Sequence, residues 1–305
     1  MSTPYKRFYK IFYKGLYGAH WVYDREHFAV TVGFNKGTLL YDRGRWTKVK
    51  PGAYPAAFFG RDAGGRELWC LGTSKMIVSS WDKLLGKASR AREEPIGDGE
   101  YLSDFCVIDG VAIAVGDDGK VFRRATPVTS AVGTWKLDAT LKPIDSLVAI
   151  DARKLDDIWI AGNKDAWRFD GATWKRVKLP SRERASDVVC GPKRDVYICG
   201  GQTLVRIRGA RVDRFDARGC DFQSVAIYEG EVYLNVAETD DDAFIGIWTL
   251  RRNKLERVTT GFPPGWEYQP CGQLEVRAGL LWSFGAFGVY VFDGKRWEQL
   301  PSPKV

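Results

Sequence analysis

The sequence LLWSFGAFGVYVFDGKRW, residues 280–297, carries the pattern that decides the fold. A short apolar run ends in Gly285, a second apolar run follows, and Asp293-Gly294 then leads to Trp297. Short runs of β-branched and aromatic residues bounded by glycine are typical of β-strands. An Asp-Gly pair after such a run is a signal for a two-residue hairpin turn, and Asp170-Gly171 repeats it. The segment therefore predicts short antiparallel strands joined by tight turns.

This pattern occurs seven times along the 305 residues, at intervals of about 35 to 50 residues. A glycine ends the first apolar run in six copies, and Asn235 stands in its place in the other copy. The glycines are Gly33, Gly72, Gly116, Gly162, Gly200 and Gly285. A further strand with its own turn precedes each copy, as in FCVIDGVAIAV and LEVRAGLLWSF. Each copy therefore predicts four antiparallel strands.

These copies resemble the blades of bacterial seven-bladed β-propellers that follow a G…DGxxW pattern, a class distantly similar to kelch, sialidase and WD40 repeats. The resemblance implies an all-β fold, a seven-bladed β-propeller of four-stranded antiparallel blades. We assign residues 19–305 to this single domain and residues 1–18 to an aromatic-basic segment that packs on the ring. The Trp-Asp ends of WD40 blades, the paired glycines of kelch repeats and the SxDxGxxW boxes of sialidases are missing. The resemblance therefore predicts the fold more strongly than a function.

Composition narrows the function classes. With 45% hydrophobic and 28% charged residues the chain has a globular composition, and no apolar run is long enough for a membrane-spanning helix. The formal net charge is +8, and residues 1–50 hold ten basic residues against three acidic ones. We therefore expect a basic surface at the N-terminal end of the chain and a partner with an acidic surface.

The sequence offers little for metal or cofactor chemistry. The two histidines, His20 and His27, have no nearby cysteine that completes a metal set, and no G-x-S-x-G motif is present. The GDDGK sequence at 116–120 predicts a turn between strands rather than a phosphate loop. We expect no metal, no cofactor and no enzymatic activity. The alternative is a carbohydrate-active or lyase-type propeller with carboxylates in its channel, Asp117, Asp118 and Asp240 being the first to test.

The cysteines indicate a reducing compartment. None of the six forms a CxxC motif, and several lie inside apolar strand-like runs, where a thiol behaves as a small hydrophobic group. The N-terminus has neither an apolar core nor a cleavage site of a secretory signal. We expect a cytoplasmic protein that is a monomer when alone.

Tryptophan recurs in two registers. Trp46, Trp135, Trp174 and Trp297 follow a hairpin turn near the outer strand, and Trp69, Trp159 and Trp282 stand three residues before a glycine. Residues that recur in register are expected to fill the space between blades. Five others fall outside both registers and are the candidates for exposure or partner contact: Trp21, Trp81, Trp167, Trp248 and Trp266.

The turns between the second and third strands of each blade are polar and differ from blade to blade. In a propeller these turns come together on one face, so variable polar turns favour a surface that recognises one macromolecular partner. The predicted partner-binding residues are Lys6, Arg7, Lys10, Lys14, Asn35, Lys36, Lys75, Asp117, Asp118, Asn163, Lys164, Asp165, Gln202, Glu238, Asp240, Asp241, Asp242, Trp266 and Phe287.

The N-terminal segment PYKRFYKIFYKGLY, residues 4–17, fits two structures. Thr3 and Pro4 are suited to the start of a helix, whereas the alternating aromatic residues also favour a strand. Its basic and aromatic residues make nucleic-acid binding a further alternative. We expect a non-enzymatic module that binds a protein. It resembles stand-alone bacterial propellers that neutralise a toxin or assist a secretion complex.

Overall fold

The strands of this chain form seven four-stranded antiparallel sheets. The computed structural model describes residues 20–31, 38–49, 56–62, 65–71, 74–80, 92–98, 101–126, 133–142, 146–180, 184–236, 246–263, 272–285 and 288–301. Within each sheet the four strands pair in the order in which they follow one another in the chain, so each sheet is built from one continuous segment.

Each sheet is one blade of a seven-bladed β-propeller, which confirms the predicted fold class. The strands of blades 1 to 4 are β1 (His20–Asp24), β2 (His27–Thr31), β3 (Thr38–Asp42), β4 (Arg45–Val49), β5 (Ala56–Asp62), β6 (Gly65–Leu71), β7 (Lys75–Ser80), β8 (Arg92–Pro95), β9 (Leu102–Ile108), β10 (Val111–Gly116), β11 (Lys120–Arg124), β12 (Trp135–Thr140), β13 (Leu147–Lys154), β14 (Asp157–Gly162), β15 (Asp165–Phe169) and β16 (Trp174–Lys178). The strands of blades 5 to 7 are β17 (Asp187–Cys190), β18 (Asp195–Gly200), β19 (Thr203–Arg208), β20 (Arg211–Asp216), β21 (Phe222–Tyr228), β22 (Glu231–Val236), β23 (Gly246–Arg251), β24 (Lys254–Arg257), β25 (Gln273–Arg277), β26 (Leu280–Gly285), β27 (Gly288–Phe292) and β28 (Trp297–Gln299).

The first strands of the blades form the inner wall of the ring. Each of them contacts the first strand of the next blade, and β25 of blade 7 contacts β1 of blade 1, which closes the circle. Blade 7 has its four strands within residues 273–299, as its sequence predicts. The N-terminal segment 1–18 lies outside the described residues, so its packing on the ring stays a prediction.

The core consists of apolar layers between neighbouring blades. Strand β10 shows how it is built: Ile113 and Val115 pack against blade 4, whereas Ala114 packs against blade 2. Because successive side chains of a strand point to opposite faces, both faces of a blade can be buried at once. A blade alone cannot bury its two faces, so the ring is the smallest stable unit of this architecture.

The tight turns are only partly as predicted. Asp109-Gly110 joins β9 and β10 with φ of 47° and 75°, the left-handed pair of a type I′ hairpin. Asp170-Gly171 and Asp293-Gly294 do not form such hairpins. The Asp170 carboxylate accepts the backbone N–H groups of Ala172 and Thr173, and this makes a longer turn of residues 170–173 before β16.

The tryptophan registers hold where side chains are described. Trp159, Trp282 and Trp297 are buried between blades, and Trp46, Trp135 and Trp174 are partly buried against apolar clusters between blades. Trp167, expected as an exposed candidate, is instead buried between blades 3 and 4, because the middle residue of β15 faces blade 3. Trp266 lies outside the described residues.

In the described part of the chain no helix is long and apolar enough to cross a membrane.

Candidate partner-binding face

One end of the ring carries the turns between second and third strands together with the connections from blade to blade; we call it the turn face. Backbone hydrogen bonds tie these two sets of segments together. The N–H of Asp117 donates to the carbonyl of Tyr101 at 2.9 Å, and the N–H of Phe222 donates to Gly201 at 2.7 Å. The described turns of blades 3 and 5 therefore lie beside the connections on this face.

The glycine that ends each second strand has a steric reason in blades 3 and 5. A Cβ on Gly116 would overlap the carbonyl oxygen of Tyr101, and a Cβ on Gly200 would overlap that of Arg184. In blade 6 the connection is held by a side chain instead: the buried Asn235 Oδ1 accepts the N–H of Gly272 at 2.9 Å. The repeat residues thus fix the connections of the turn face.

Carboxylates fasten the inner strands of blades 3 to 6. Asp104 Oδ2 accepts the N–H of Ile150 at 2.9 Å, and Asp151 Oδ2 accepts the N–H of Cys190 at 2.7 Å. Asp187 Oδ2 accepts the N–H of Val225 at 2.9 Å in the same way. An inner strand is the edge of its sheet and leaves N–H groups without a strand partner. Each carboxylate satisfies such a group on the next blade, and so links neighbouring blades around the axis.

The setting of these carboxylates raises their pKa values. Desolvation between blades raises the pKa of Asp104 to about 8. The backbone N–H donors lower this pKa in part, and the charge of Asp187 raises it further. Desolvation also raises the pKa of Asp187 to about 6 and raises that of Asp151. These residues are not among the sites predicted from the sequence, although an acidic residue within an apolar run, as in SDFCVI and SDVVC, is a signal for such a role.

The structure describes seven of the predicted partner-binding residues. On the turn face, Lys75 forms an ion pair with Glu93 at 2.8 Å, Asp117 is half-buried, and Asp118, Lys164 and Gln202 are exposed. Asn163 is half-buried, and its Oδ1 has no hydrogen-bond partner among the described residues.

Asp165 is the residue for which the expectation is wrong. It belongs to β15 rather than to the turn, and it is buried with Arg176 Nη2 2.5 Å from its Oδ2. The remaining predicted residues lie outside the described ranges: Lys6, Arg7, Lys10, Lys14, Asn35, Lys36, Glu238, Asp240, Asp241, Asp242, Trp266 and Phe287.

The chain has a second basic region that is not among the predictions from the sequence. Residues 164–218 hold fourteen lysines and arginines against seven acidic residues, so positive charge is not confined to residues 1–50. Five exposed cations from blades 3 to 5 lie on the turn face without an ion-pair or side-chain hydrogen-bond partner among the described residues. We call them the basic arc: Lys142, Lys164, Lys178, Arg184 and Arg218.

On the opposite face, one arginine in each of blades 4 to 6 binds an acidic residue of its own blade. Asp157 accepts a hydrogen bond from Arg168 Nε at 3.1 Å and from the indole of Trp159, and the guanidinium lies 5.8 Å from the indole centre. The same acid, aromatic and arginine arrangement occurs in the next two blades, Asp195 with Tyr197 and Arg208, and Glu231 with Tyr233 and Arg251. The recurring acid-x-aromatic sequences DIW, DVY and EVY were the signal for it.

A groove of about 600 Å³ also opens on this opposite face, between blades 3 and 4. Its charged side chains are largely paired: Lys154 with Asp156 at 2.9 Å, and Arg123 with Asp138 at 3.3 Å. His27 is likewise held inside blade 1, between Asp24 at 2.7 Å and Asp42 at 3.2 Å. The described residues contain no cluster of three or more side chains suited to a metal ion.

No family model matches the chain. It is 26% identical over 219 residues to the immune protein Tsi7 of Pseudomonas aeruginosa, a match that covers 68% of this chain and 67% of Tsi7.

Three solved structures share the fold at low identity. The extracellular domain of the one component system BT4673 from B. thetaiotaomicron superposes with a TM-score of 0.66 at 10% identity, over 92% of this chain and 39% of that one. The computationally designed protein Ika8 gives 0.62 at 10% identity, over 94% of this chain and 87% of that one. YCF48 bound to D1 peptide gives 0.53 at 11% identity, over 76% and 77%.

Proposed function

We propose that this chain is an immunity protein, a β-propeller that binds a toxic protein and neutralises it. The observation that carries the proposal is its similarity to Tsi7, which is named as an immune protein and is matched over about two thirds of both chains. Neutralisation by binding requires no catalytic group.

The architecture supports a binding role. Inner-strand carboxylates and a buried apolar layer fix blades 3 to 6 against one another, so the described turns and connections of these blades are held in one shape before a partner arrives. A surface ordered in advance loses less conformational entropy on binding. We therefore propose that the turn face, with the variable turns predicted from the sequence, recognises the toxin.

The site of action follows from the same proposal. An immunity protein must meet its toxin where the toxin would do harm, and we place this one in the bacterial cytoplasm as a monomer. The described cysteines, Cys106, Cys190, Cys199 and Cys220, are free thiols, and burial raises the pKa of the Cys199 thiol well above its ordinary range. Unreactive thiols of this kind are compatible with a reducing compartment.

A growth experiment tests the proposal. The proteins encoded next to this chain would each be expressed in a bacterial host, with and without the propeller, and viable cells would be counted. We expect one neighbour to stop growth and the propeller to restore it, while an unrelated toxin stays lethal. A toxic neighbour that the propeller does not neutralise, or the lack of any toxic neighbour, would overturn the proposal.

A further inference from the structure

We propose that the basic arc is the docking surface for an acidic surface patch of the protein partner. The inference rests on the immunity function proposed above, and it adds which part of the ring makes contact and what chemistry the partner presents there. The five residues of the arc come from the connections and strand ends of three consecutive blades.

The arc is continuous along the turn face. Lys142 follows Leu141, whose N–H donates to Gly119 in the turn of blade 3 at 2.8 Å. Lys178 ends β16 opposite Asp165 in β15, directly after Lys164. Arg184 lies against the end of β18 at Gly200, and Arg218 follows Ala217, whose N–H donates to Gln202 at 2.9 Å.

The charges of the arc are left available for a partner. Arg176 and Arg214 on the same face are paired, Arg176 with the buried Asp165 and Arg214 with Asp216 at 2.8 Å. The arc residues have no such carboxylate in the described structure. On the opposite face of blades 4 to 6 the strand residues Arg168, Arg208 and Arg251 each bind an acidic residue, and the cations without a described partner stand in or beside the turns. Unpaired cations on one face attract an acidic surface and speed its association.

An aromatic residue stands at one end of the arc. Tyr101 is 48% exposed, and its carbonyl accepts the N–H of Asp117 on the turn face. Tyrosine and arginine are the residue types enriched at protein interfaces, where tyrosine fills a pocket of the partner. We therefore assign Tyr101 to the interface as its apolar anchor.

The exposed carboxylates favour a protein over a nucleic acid as the partner. Asp118 is 77% exposed and lies 4.0 Å from Lys120, and Asp216 is 51% exposed beside Arg214. A phosphate backbone presents only negative charge, so these carboxylates would repel it. A protein surface can place a lysine or arginine opposite each of them.

Reversing the same number of charges on each face distinguishes an effect of the basic arc from an effect of the protein's net charge. The arc variant is K142E/K164E/K178E/R184E/R218E. The matched control is K193E/R194E/R252E/K254E/K295E, which reverses five exposed cations in or beside the turns of the opposite face that also lack described partners. Both variants lose the same ten units of charge, and circular dichroism with thermal melting checks their folding. If either glutamate variant does not fold, glutamine versions of both variants replace them, so that the loss of charge stays equal.

The first readout is the binding of fluorescent poly-L-glutamate by anisotropy. We expect the wild-type protein to bind it, with affinity falling at least about tenfold when NaCl is raised from about 50 mM to about 500 mM. The arc variant should bind at least about tenfold more weakly than the control variant. Equal loss in both variants would overturn the proposal. Tighter, arc-dependent binding of a DNA duplex would overturn it in favour of a nucleic acid.

The second readout is the growth of bacteria that express the toxic protein encoded next to this chain. It tests the docking surface separately from the proposed immunity function. If the wild type and control rescue growth and the arc variant does not, the docking surface is supported. If the arc variant also rescues, the arc is wrong and the immunity function stands. If the wild type fails to rescue, the immunity function is wrong, and the polyglutamate result alone decides whether the arc binds acidic polypeptide.

Discussion

At the scale of single residues, blades 2 and 3 are joined by a buried ion pair. Arg124 donates to Glu94 from Nε at 2.9 Å and from Nη2 at 2.8 Å, and the indole of Trp135 donates to the same carboxylate at 3.2 Å. Both side chains are almost completely buried. A Cβ on Gly133 would overlap the guanidinium, so glycine leaves the space that the pair occupies.

Removing one partner of this pair should destabilise the ring strongly. Because Glu94→Gln removes the buried carboxylate charge that binds the Arg124 guanidinium, we expect the free energy of unfolding to fall by about 3–5 kcal/mol. Chemical denaturation measures it. The control is Glu93→Gln, which breaks the exposed Lys75–Glu93 pair and should cost about 0–1 kcal/mol. If the free energy of unfolding fell equally in the two variants, burial would not determine how much the ion pair contributes to stability.

Asp104 should make stability depend on pH. Its pKa is about 8 in the folded chain against an ordinary 3.8, so the folded state binds more protons than the unfolded state between these values. The free energy of unfolding therefore falls as pH rises through this window, by up to about 1.4 kcal/mol per unit. Desolvation of the carboxylate between blades is the main cause, with Asp187 and Asp151 adding repulsion.

The measurement is the midpoint of chemical unfolding from about pH 5 to about pH 9, for wild type and Asp104→Asn. Asparagine cannot ionise, so the variant should lose part of the decline with pH even if it is less stable throughout. Parallel curves would mean that Asp104 keeps an ordinary pKa. Asp221→Asn, at a half-buried residue on the turn face, serves as the control.

At the scale of elements, the order of the strands can be predicted from the sequence, whereas the type of each turn cannot always be predicted. Strand order, the glycine at the end of the second strand and the tryptophan registers follow from the repeat. The type of turn after β15 does not, because Asp170 has two choices: a left-handed backbone, or a side-chain bond to the next N–H groups. Lys175 is 2.6 Å from the same carboxylate and, with those N–H donors, holds the pKa of Asp170 below its ordinary value.

The glycine at the end of β18 offers a test of element packing. In Gly200→Ala the Cβ would overlap the carbonyl oxygen of Arg184, so the connection between blades 4 and 5 must move. We expect a loss of more than about 1 kcal/mol in the free energy of unfolding, beyond the effect of glycine conformation alone. Gly230→Asn is the control, since asparagine tolerates the φ of 82° and the Cβ enters open space. A loss no greater than the control's would refute the close approach.

Parts of the candidate site could not be predicted because they depend on distant residues. The carboxylates of Asp104 and Asp187 act on backbone groups of the following blade, a contact that a single strand does not reveal. Asp165 could be placed near a turn, yet its burial by Arg176 depends on the pairing of β15 with β16. Four of the five arc residues lie in the basic region 164–218, which a charge count reveals, but the count does not show which cations remain without a described partner.

At the scale of the whole molecule, the described residues close the ring by contacts between blades 1 and 7 rather than by a shared strand. Blades 1 and 7 share an apolar layer in which Phe28, fully buried, lies 5.4 Å from Trp282 between ring centres. The indole of Trp46 donates to the carbonyl of Pro301 at 3.0 Å, and Arg25 pairs with Glu298. These described blades exchange no strand with each other.

A cavity in this apolar layer should destabilise both blade 1 and blade 7. Phe28→Ala should lower the free energy of unfolding by about 3–5 kcal/mol. Hydrogen exchange followed by mass spectrometry should quicken in blades 1 and 7 more than in blade 4, because the opening begins where the variant lies. Ile160→Ala, also fully buried but between blades 3 and 4, should shift the faster exchange to those blades. Identical exchange patterns would mean that the ring opens as a single unit.

The same closure has a mechanical consequence. A force applied at residues 20 and 301 acts on two neighbouring blades that are fastened by an apolar layer, one ion pair and one indole hydrogen bond among the described contacts. Elsewhere each blade is also tied to the next by the chain itself. Blades 1 and 7 should therefore separate first. The blades should then unfold one after another, and each step should release about forty residues of chain.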